Sequence, residues 1–123
     1  MRLAIANIIE FPMTITVPGS DGSREHSFRL TGKRYSRDEW NEALASLNAA
    51  GGDRDTVFLT ESLTGWSGQD LVVNEEGAPE PFSAEALQLL LTVPGMSIAV
   101  FLAYQRAQHA SLTEAGRLKN SAG

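Results

Sequence analysis

The run MTITV at residues 13–17, the segment PGSDGS at 18–23 and the run SFRLT at 27–31 decide how the first part of the chain folds. In both outer runs apolar residues alternate with polar ones, and a period of two is typical of a strand with one buried face. Proline, glycine, serine and aspartate between them favour a turn. The pattern predicts an antiparallel β-hairpin, which needs a further element to cover its apolar face.

Serine residues in front of apolar runs mark the predicted helix starts. Ser36 is followed three residues later by Glu39, which is the spacing of a capping box. A first helix is therefore predicted from Ser36 to a stop at Gly51-Gly52. A second helix is predicted over 53–63 with Asp53 as its cap, although the apolar residues of this segment also fit a strand.

Two more helices are predicted in the C-terminal part of the chain. Ser83 has the position of an N-cap, and the leucines that follow it recur at helical spacing. Pro94 or Ser97 opens the fourth helix, which runs to about Ala110. Its predicted apolar contribution comes from Ile98, Phe101, Leu102 and Tyr104.

The chain of 123 residues is predicted to be a single α+β domain, in which an N-terminal antiparallel β-hairpin or small sheet precedes a bundle of about four short helices. The pattern over Met1–Glu10 fits either a strand or a helix. The predicted segments are a β-hairpin region at 1–35, a helical pair at 36–63, an acidic loop at 64–82, C-terminal helices at 83–111 and a frayed tail at 112–123.

Composition excludes several classes of protein. Hydrophobic residues make up 42% and charged residues 20% of the chain, which argues against a wholly disordered chain and against a membrane protein. The net charge of −5 makes nucleic acid a poor partner. The chain has no cysteine, which excludes disulfides and thiolate metal sites and favours a reducing cytoplasm. No segment has the pattern of a targeting signal or a membrane span.

The sequence contains no constellation typical of catalysis. His26 and His109 lie far apart and lack further ligands at metal-binding spacing, so both are interpreted as surface residues. The segment Gly65–Gly68, with Ser67 third, is one residue short of a nucleophile elbow. Glu75 and Glu76 fall in an exposed turn, where nothing raises the pKa of a carboxyl group. We predict no catalytic residue, no metal, no cofactor and no enzymatic activity.

Charge is divided between a basic hairpin and an acidic middle segment. The hairpin half carries Arg24, Arg29, Lys33, Arg34 and Arg37 against Glu25, whereas anions dominate from Asp53 to Glu80. One interpretation is two solvated faces that attract each other within one fold. The other is two docking patches through which copies associate head to tail.

Trp66 lies between glycines and before the acidic loop, which is an unusual position for a core residue. Either its ring folds back over the helices, or it offers an aromatic contact to a partner. The sequence leaves both interpretations open.

An ordered series of motifs resembles the tail assembly chaperones of long-tailed bacteriophages, over about Phe11–Asn120. The upstream part is a hairpin opened by Phe11-Pro12 and followed by Ser36–Glu39. The rest consists, in order, of Gly65-Trp66-Ser67-Gly68, an acidic turn at Asn74-Glu75-Glu76-Gly77, Pro79-x-Pro81-Phe82-Ser83, a leucine-rich helix, Val93-Pro94-Gly95, an alanine-rich helix ending near Tyr104, and Lys119-Asn120.

The resemblance implies a non-enzymatic role in the cytoplasm of the bacterial host. Such chaperones are thought to coat the long tape-measure protein, keep it soluble and pass it to tail-tube subunits, and they are usually absent from the finished particle. The expected partners are thus the tape-measure and tail-tube proteins, with a homo-oligomer as a further expectation. Two alternatives stay open: a structural minor tail or connector protein, and an acidic immunity or antitoxin-like binding protein.

A chaperone for a long helical client is expected to dock it in an apolar groove, with anchors at helical spacing. The predicted protein-binding residues are Trp66, Phe82, Leu87, Leu90, Leu91, Ile98, Phe101 and Leu102. The predicted self-association residues are Arg29, Lys33 and Arg34 on the basic side and Glu75 and Glu76 on the acidic side.

Overall fold

The structure is a computed structural model, and it describes Met1, residues 6–50 and residues 54–110. Its elements are β1 (Ile8–Gly19), β2 (Gly22–Lys33), α1 (Arg37–Ala50), α2 (Arg54–Ser62), β3 (Leu63–Ser67), α3 (Ala84–Leu91) and α4 (Met96–Ala110). The strands form one antiparallel sheet in the order β1-β2-β3. The predicted α+β class is confirmed. The frayed tail, the Gly51-Gly52 stop, the Asp53 cap, the Lys119-Asn120 motif and most of the segment before Ile8 lie outside the described residues.

The predicted hairpin is confirmed and is longer than the two alternating runs. Its strands are joined by a two-residue turn, with Gly19 opposite Gly22. Gly22 has a φ of 118°, a conformation that side chains disfavour, so the turn requires glycine at this position. The odd-numbered residues of β1 face the helices and the even-numbered ones face solvent, which places Ile9, Phe11 and Met13 in the core.

The outer edge of β1 is interrupted by two prolines. Because Gly19 and Gly22 close a two-residue turn, they form a hydrogen-bonded pair, and the odd-numbered residues of β1 bond to β2. Pro12 and Pro18 are even-numbered and fall where an N–H group would point to the open edge. The edge thus lacks donors at two positions, which disfavours pairing with a strand of another chain.

The first part of the predicted acidic loop is a strand instead. Residues 63–67 form β3 along the free edge of β2, with Gly65 opposite Thr31 and Trp66 opposite Leu30. The register shifts between Thr31 and Gly32, where a bulge or irregularity interrupts the regular pairing. A side chain at Gly32 would meet the Leu63 and Tyr104 side chains at 3.0–3.1 Å, so this close approach favours glycine. Further along the predicted acidic loop, Val73 and Pro79 form an isolated antiparallel β-bridge.

Tyr104 of α4 is the centre of the core between the sheet and the helices. Its ring stacks on Phe11 of β1 at a centroid distance of 5.4 Å and meets Trp40 of α1 edge-on at 5.6 Å. Its hydroxyl donates a hydrogen bond to the Lys33 carbonyl at the end of β2. Burial raises the pKa of the Tyr104 phenol, so the hydroxyl stays a donor at neutral pH. The other fully buried side chains are Leu30, Leu59, Ser62, Leu87, Leu90 and Val100.

The helix starts at Ser36 and Ser83 are confirmed. The Glu39 amide donates to Ser36 Oγ at 3.2 Å, and the Ser36 amide donates to Glu39 Oε1 at 3.1 Å, which completes the capping box. These bonds hold the pKa of the Glu39 carboxyl below its usual value. Ser83 Oγ accepts from the Ala86 amide at 3.0 Å.

The fourth helix starts at Met96, between the two predicted positions. Gly95, at a φ of 84°, turns the chain between α3 and α4. Within the described residues no single helix is long and apolar enough to span a membrane, and α3 and α4, which reach the required length only together, are bent by 112° at their junction.

Candidate protein-binding surface

A buried glutamine organises the segment that connects β3 to α3, residues 68–82, which we name the Gln69 loop. Gln69 is 2% exposed, and its Oε1 accepts hydrogen bonds from the Leu71 and Val72 amides at 3.0 and 2.8 Å. Its Nε2 donates to the Val72 and Glu80 carbonyls at 2.9 and 3.2 Å. One side chain thus satisfies four backbone groups. Sequence reasoning missed Gln69, because nothing local distinguishes a bridging glutamine from a solvated one.

Trp66 and Phe82 close the base of the Gln69 loop. Their rings meet edge to face at 5.2 Å, and the Trp66 indole N–H donates to the Glu80 carbonyl at 3.1 Å. Both side chains are half-buried and pack against the core. Trp66 therefore folds back over the core, as the first interpretation predicted, and its side chain is not fully covered. A contact between Trp66 and a partner stays a prediction.

The tip of the Gln69 loop projects two carboxylates into solvent. Asn74 Oδ1 accepts from the Glu76 amide at 3.0 Å and from the Ala78 amide at 2.9 Å, and Gly77 has a φ of 83°. Glu75 and Glu76 are both exposed. The acidic half of the predicted self-association pair is accessible on a turn that is fixed by its own hydrogen bonds.

The basic half of that pair has contacts within its own chain. Arg29 Nε donates to Glu10 Oε1 at 2.6 Å, and Lys33 Nζ lies 5.0 Å from the centroid of the Tyr35 ring. Arg34 Nε donates to the Ala6 carbonyl at 2.8 Å. These cations line the solvent face and the end of the hairpin, and each already has an intramolecular partner.

A contact between two titratable side chains adds to the strand pairing that joins the basic hairpin to the acidic segment. His26 Nδ1 on β2 lies 2.7 Å from Asp70 Oδ1 in the Gln69 loop. The His26 side chain is only 11% exposed, so its interpretation as a surface residue is wrong. The reason is that the Gln69 loop folds back over β2. His109, in contrast, is exposed as predicted.

The α3 leucines do not line an open groove. Leu87, Leu90 and Leu91 are 0%, 1% and 7% exposed and belong to the core. The helix is short, and its one apolar stripe is needed to cover the sheet and the neighbouring helices. Phe101 on α4 is half-buried, with its ring 5.8 Å from Trp40, so it too serves mainly the core.

Among the predicted contact residues on α3 and α4, Ile98 and Leu102 are the ones exposed to solvent. They are 61% and 46% exposed on the outer side of α4. The buried stripe of this helix consists instead of Met96, Val100, Ala103 and Tyr104. Leu89 on α3 and Val93 after it are 59% and 42% exposed, and neither was predicted as a contact residue.

An apolar cleft of about 330 Å³ lies between the turn end of the hairpin and the corner that joins α3 to α4. Sequence reasoning did not find it, because its two walls lie far apart in the chain and both are built from unremarkable aliphatic residues. Its apolar lining includes Ile15, Val17, Pro18, Val93, Met96 and Ala99.

Comparison of the chain with family models, with curated proteins and with solved structures finds no match. Among the described residues, no group of three or more histidine, cysteine, aspartate or glutamate side chains could hold a metal ion. What the described surface offers is apolar area on α4 and in the cleft, a half-exposed tryptophan and a projecting acidic turn. These are features of protein recognition.

Proposed function

We propose that this protein is a phage tail assembly chaperone, which binds the tape-measure protein and promotes tail-tube assembly in the cytoplasm of the bacterial host without catalysing a reaction. The ordered motifs from Phe11-Pro12 to Lys119-Asn120, with their resemblance to that family, support the proposal. The minor tail protein and the acidic immunity protein remain the alternatives.

The observation that carries the proposal is the apolar outer side of α4. Ile98 and Leu102 stay exposed although Tyr104 and the leucines of α3 complete the core. Exposed aliphatic side chains one helical turn apart are suited to packing against another helix. A tape-measure protein is a very long, partly apolar helix, so it offers a matching surface many times along its length.

Reversible coating follows from repeated weak contacts. A surface of two or three aliphatic side chains binds a single helix weakly, and many copies along one client gain affinity through proximity. Such a coat can protect a long client and still be displaced copy by copy when tail-tube subunits arrive.

Co-expression with the tape-measure protein of the same phage tests the proposal. We expect the tape-measure protein to become soluble and to co-purify with several copies of this chain. An unrelated long coiled-coil protein, expressed in the same way, is the control and should gain no solubility. A tape-measure protein that stays insoluble and unbound would contradict the proposal.

Mass spectrometry of purified virions separates the chaperone from a minor tail protein. A chaperone is expected to be missing from the particle, whereas a connector is expected in stoichiometric amounts. Recovery of this chain from intact virions would favour the minor tail protein.

Head-to-tail association of copies is a second part of the proposal. The exposed Glu75 and Glu76 would meet Arg29, Lys33 and Arg34 of a neighbour, although these cations would first have to exchange their own partners. Charge reversal at the three cations should abolish any self-association seen by sedimentation velocity. Oligomers that persist unchanged would show that another surface is responsible.

A further inference from the structure

We propose that the hairpin-end cleft and the outer side of α4 form one docking site, and that its occupant is an amphipathic helix whose apolar stripe is flanked by acidic side chains. This inference rests on the proposed function and specifies which segments of the client the protein binds. It follows from the continuity of the apolar surface and from the charges at its two ends.

The cleft and the exposed residues of α4 belong to one surface. Residues three or four apart share a helix face, so Leu102 is adjacent to both Ala99, which lines the cleft, and Ile98. Arg106 follows Leu102 after one further turn and is exposed. From Gly95 to Arg106 this face runs about 16 Å, the length of about three turns of a helical partner.

Cations stand at both ends of this surface. Arg106 marks one end. Arg24 marks the other, because it lies opposite Val17 on β2, and the even-numbered residues of β2, such as His26 and Phe28, face the helix side of the sheet. Arg24 and Arg106 are exposed, and neither forms an ion pair within the part of the chain that the structure describes.

This surface carries more positive than negative charge, although the chain as a whole is acidic: Arg24 and Arg106 stand against Asp21 in the hairpin turn. The net charge is −5, yet the sequence of α4, MSIAVFLAYQRAQHA, contains no aspartate or glutamate. The corner between α3 and α4, TVPG at 92–95, is uncharged. An apolar face with an arginine at each end favours a client whose apolar stripe is flanked by carboxylates.

The same charges disfavour a second copy as the occupant. A two-fold contact through α4 would place identical surfaces together. Arg106 would then meet a helix that supplies no carboxylate. The carboxylates of a separate acidic helix can pair with Arg106, whereas α4 of a second copy cannot.

Two synthetic amphipathic peptides of about three heptads test the site. They share one leucine stripe, which is flanked by glutamates in one peptide and by lysines in the other. Fluorescence anisotropy with the full chain should show the glutamate peptide bound about tenfold more tightly, which corresponds to about 1.4 kcal/mol. The preference should shrink as salt is added, because exposed charges are screened.

Charge variants show which residues cause the preference for the glutamate peptide. The double variant Arg24→Glu with Arg106→Glu should lose the preference for the glutamate peptide or reverse it. Arg37→Glu is the matched control, since this arginine on α1 is 89% exposed and pairs only weakly with its neighbour Asp38. The double variant Ile98→Ser with Leu102→Ser should bind both peptides more weakly, and by about the same factor, because the two peptides share the apolar stripe. Circular dichroism checks that each variant is folded.

The outcomes separate this inference from the proposed function. Equal affinity for the two peptides, or a preference unchanged by the arginine variants, overturns the acidic-client inference, while binding of the tape-measure protein would still support the chaperone. If the Ile98→Ser and Leu102→Ser variant binds the tape-measure protein as tightly as the parent protein does, the docking site is not on the outer side of α4. A chain that binds neither peptide nor the tape-measure protein overturns both proposals.

Discussion

Helices α3 and α4 are both rich in aliphatic residues, and they use them in opposite ways. The stripe of α3 is fully inside, with Leu87 and Leu90 almost inaccessible, whereas α4 buries one face around Val100 and Tyr104 and leaves Ile98 and Leu102 in solvent. A helix that is apolar on one side needs only one partner, while a helix that is apolar all round has a second face to fill. The α3 stripe is therefore used by the core, whereas the outer side of α4 is left uncovered, and the proposed function assigns that side to a partner.

The largest effect is expected from truncation of the α3 stripe. Leu87→Ala removes a fully buried side chain and should lower the free energy of unfolding by about 2–5 kcal/mol. Leu89→Ala on the same helix, where the side chain is 59% exposed, is the matched control and should change it by less than about 0.5 kcal/mol. Urea denaturation measures both. Equal effects of the two variants would contradict the assignment of α3 to the core.

The next largest effect is expected at Gln69, and it tests whether this side chain holds the backbone of the Gln69 loop in place. Gln69→Ala leaves the Leu71 and Val72 amides without their acceptor and should lower the free energy of unfolding by about 1–3 kcal/mol. The Val72 and Glu80 carbonyls keep the Glu80 amide and the Trp66 indole as donors. Hydrogen exchange should rise at the Leu71 and Val72 amides, which donate to Gln69 Oε1, more than elsewhere. The exposed Gln88→Ala is the control. Unchanged exchange in the loop would show that its backbone is held by other contacts.

The local signals in the sequence were sufficient for the hairpin and for the helix starts. Alternation around a glycine-containing turn and the capping serines Ser36 and Ser83 act over a few residues, so their consequences can be seen in a single segment. The third strand was missed, because 63–67 becomes a strand only by pairing with the free edge of β2. A tertiary contact of this kind decides between strand and loop for a short run.

The candidate site was predicted only in part, and for a related reason. The sequence marks α3 and α4 as apolar, but which side faces the core depends on where the sheet lies. In α4 the choice is decided by Tyr104, whose hydroxyl reaches the end of β2 and whose ring stacks on Phe11. That contact rotates Ile98 and Leu102 outward. The cleft was missed, and Arg24 was noted only as one cation of the basic hairpin, because the cleft forms only where the hairpin end meets the α3–α4 corner.

A smaller effect on stability is expected from the N-cap of α3. α3 begins with the Ser83 hydroxyl bonded to the Ala86 amide, so Ser83→Ala should destabilise the protein by about 1 kcal/mol. Ser83→Asp keeps an acceptor and places a negative charge at the helix N-terminus, and it should retain most of the stability. Thermal unfolding of the three proteins checks the order. A Ser83→Asp variant as unstable as Ser83→Ala would mean that the hydroxyl acts through another contact.

The smallest effect on stability is expected on the outer side of α4. Ile98→Ser with Leu102→Ser removes aliphatic side chains that are already in solvent, so the free energy of unfolding should change by less than about 0.5 kcal/mol per site. Urea denaturation at two protein concentrations measures it. A loss comparable to that of Leu87→Ala, together with a midpoint that rises with concentration in the parent protein alone, would mean that copies of the chain cover this face in solution. In that case both apolar faces of α4 would be buried, just as the apolar stripe of α3 is. The difference between the two helices would then disappear.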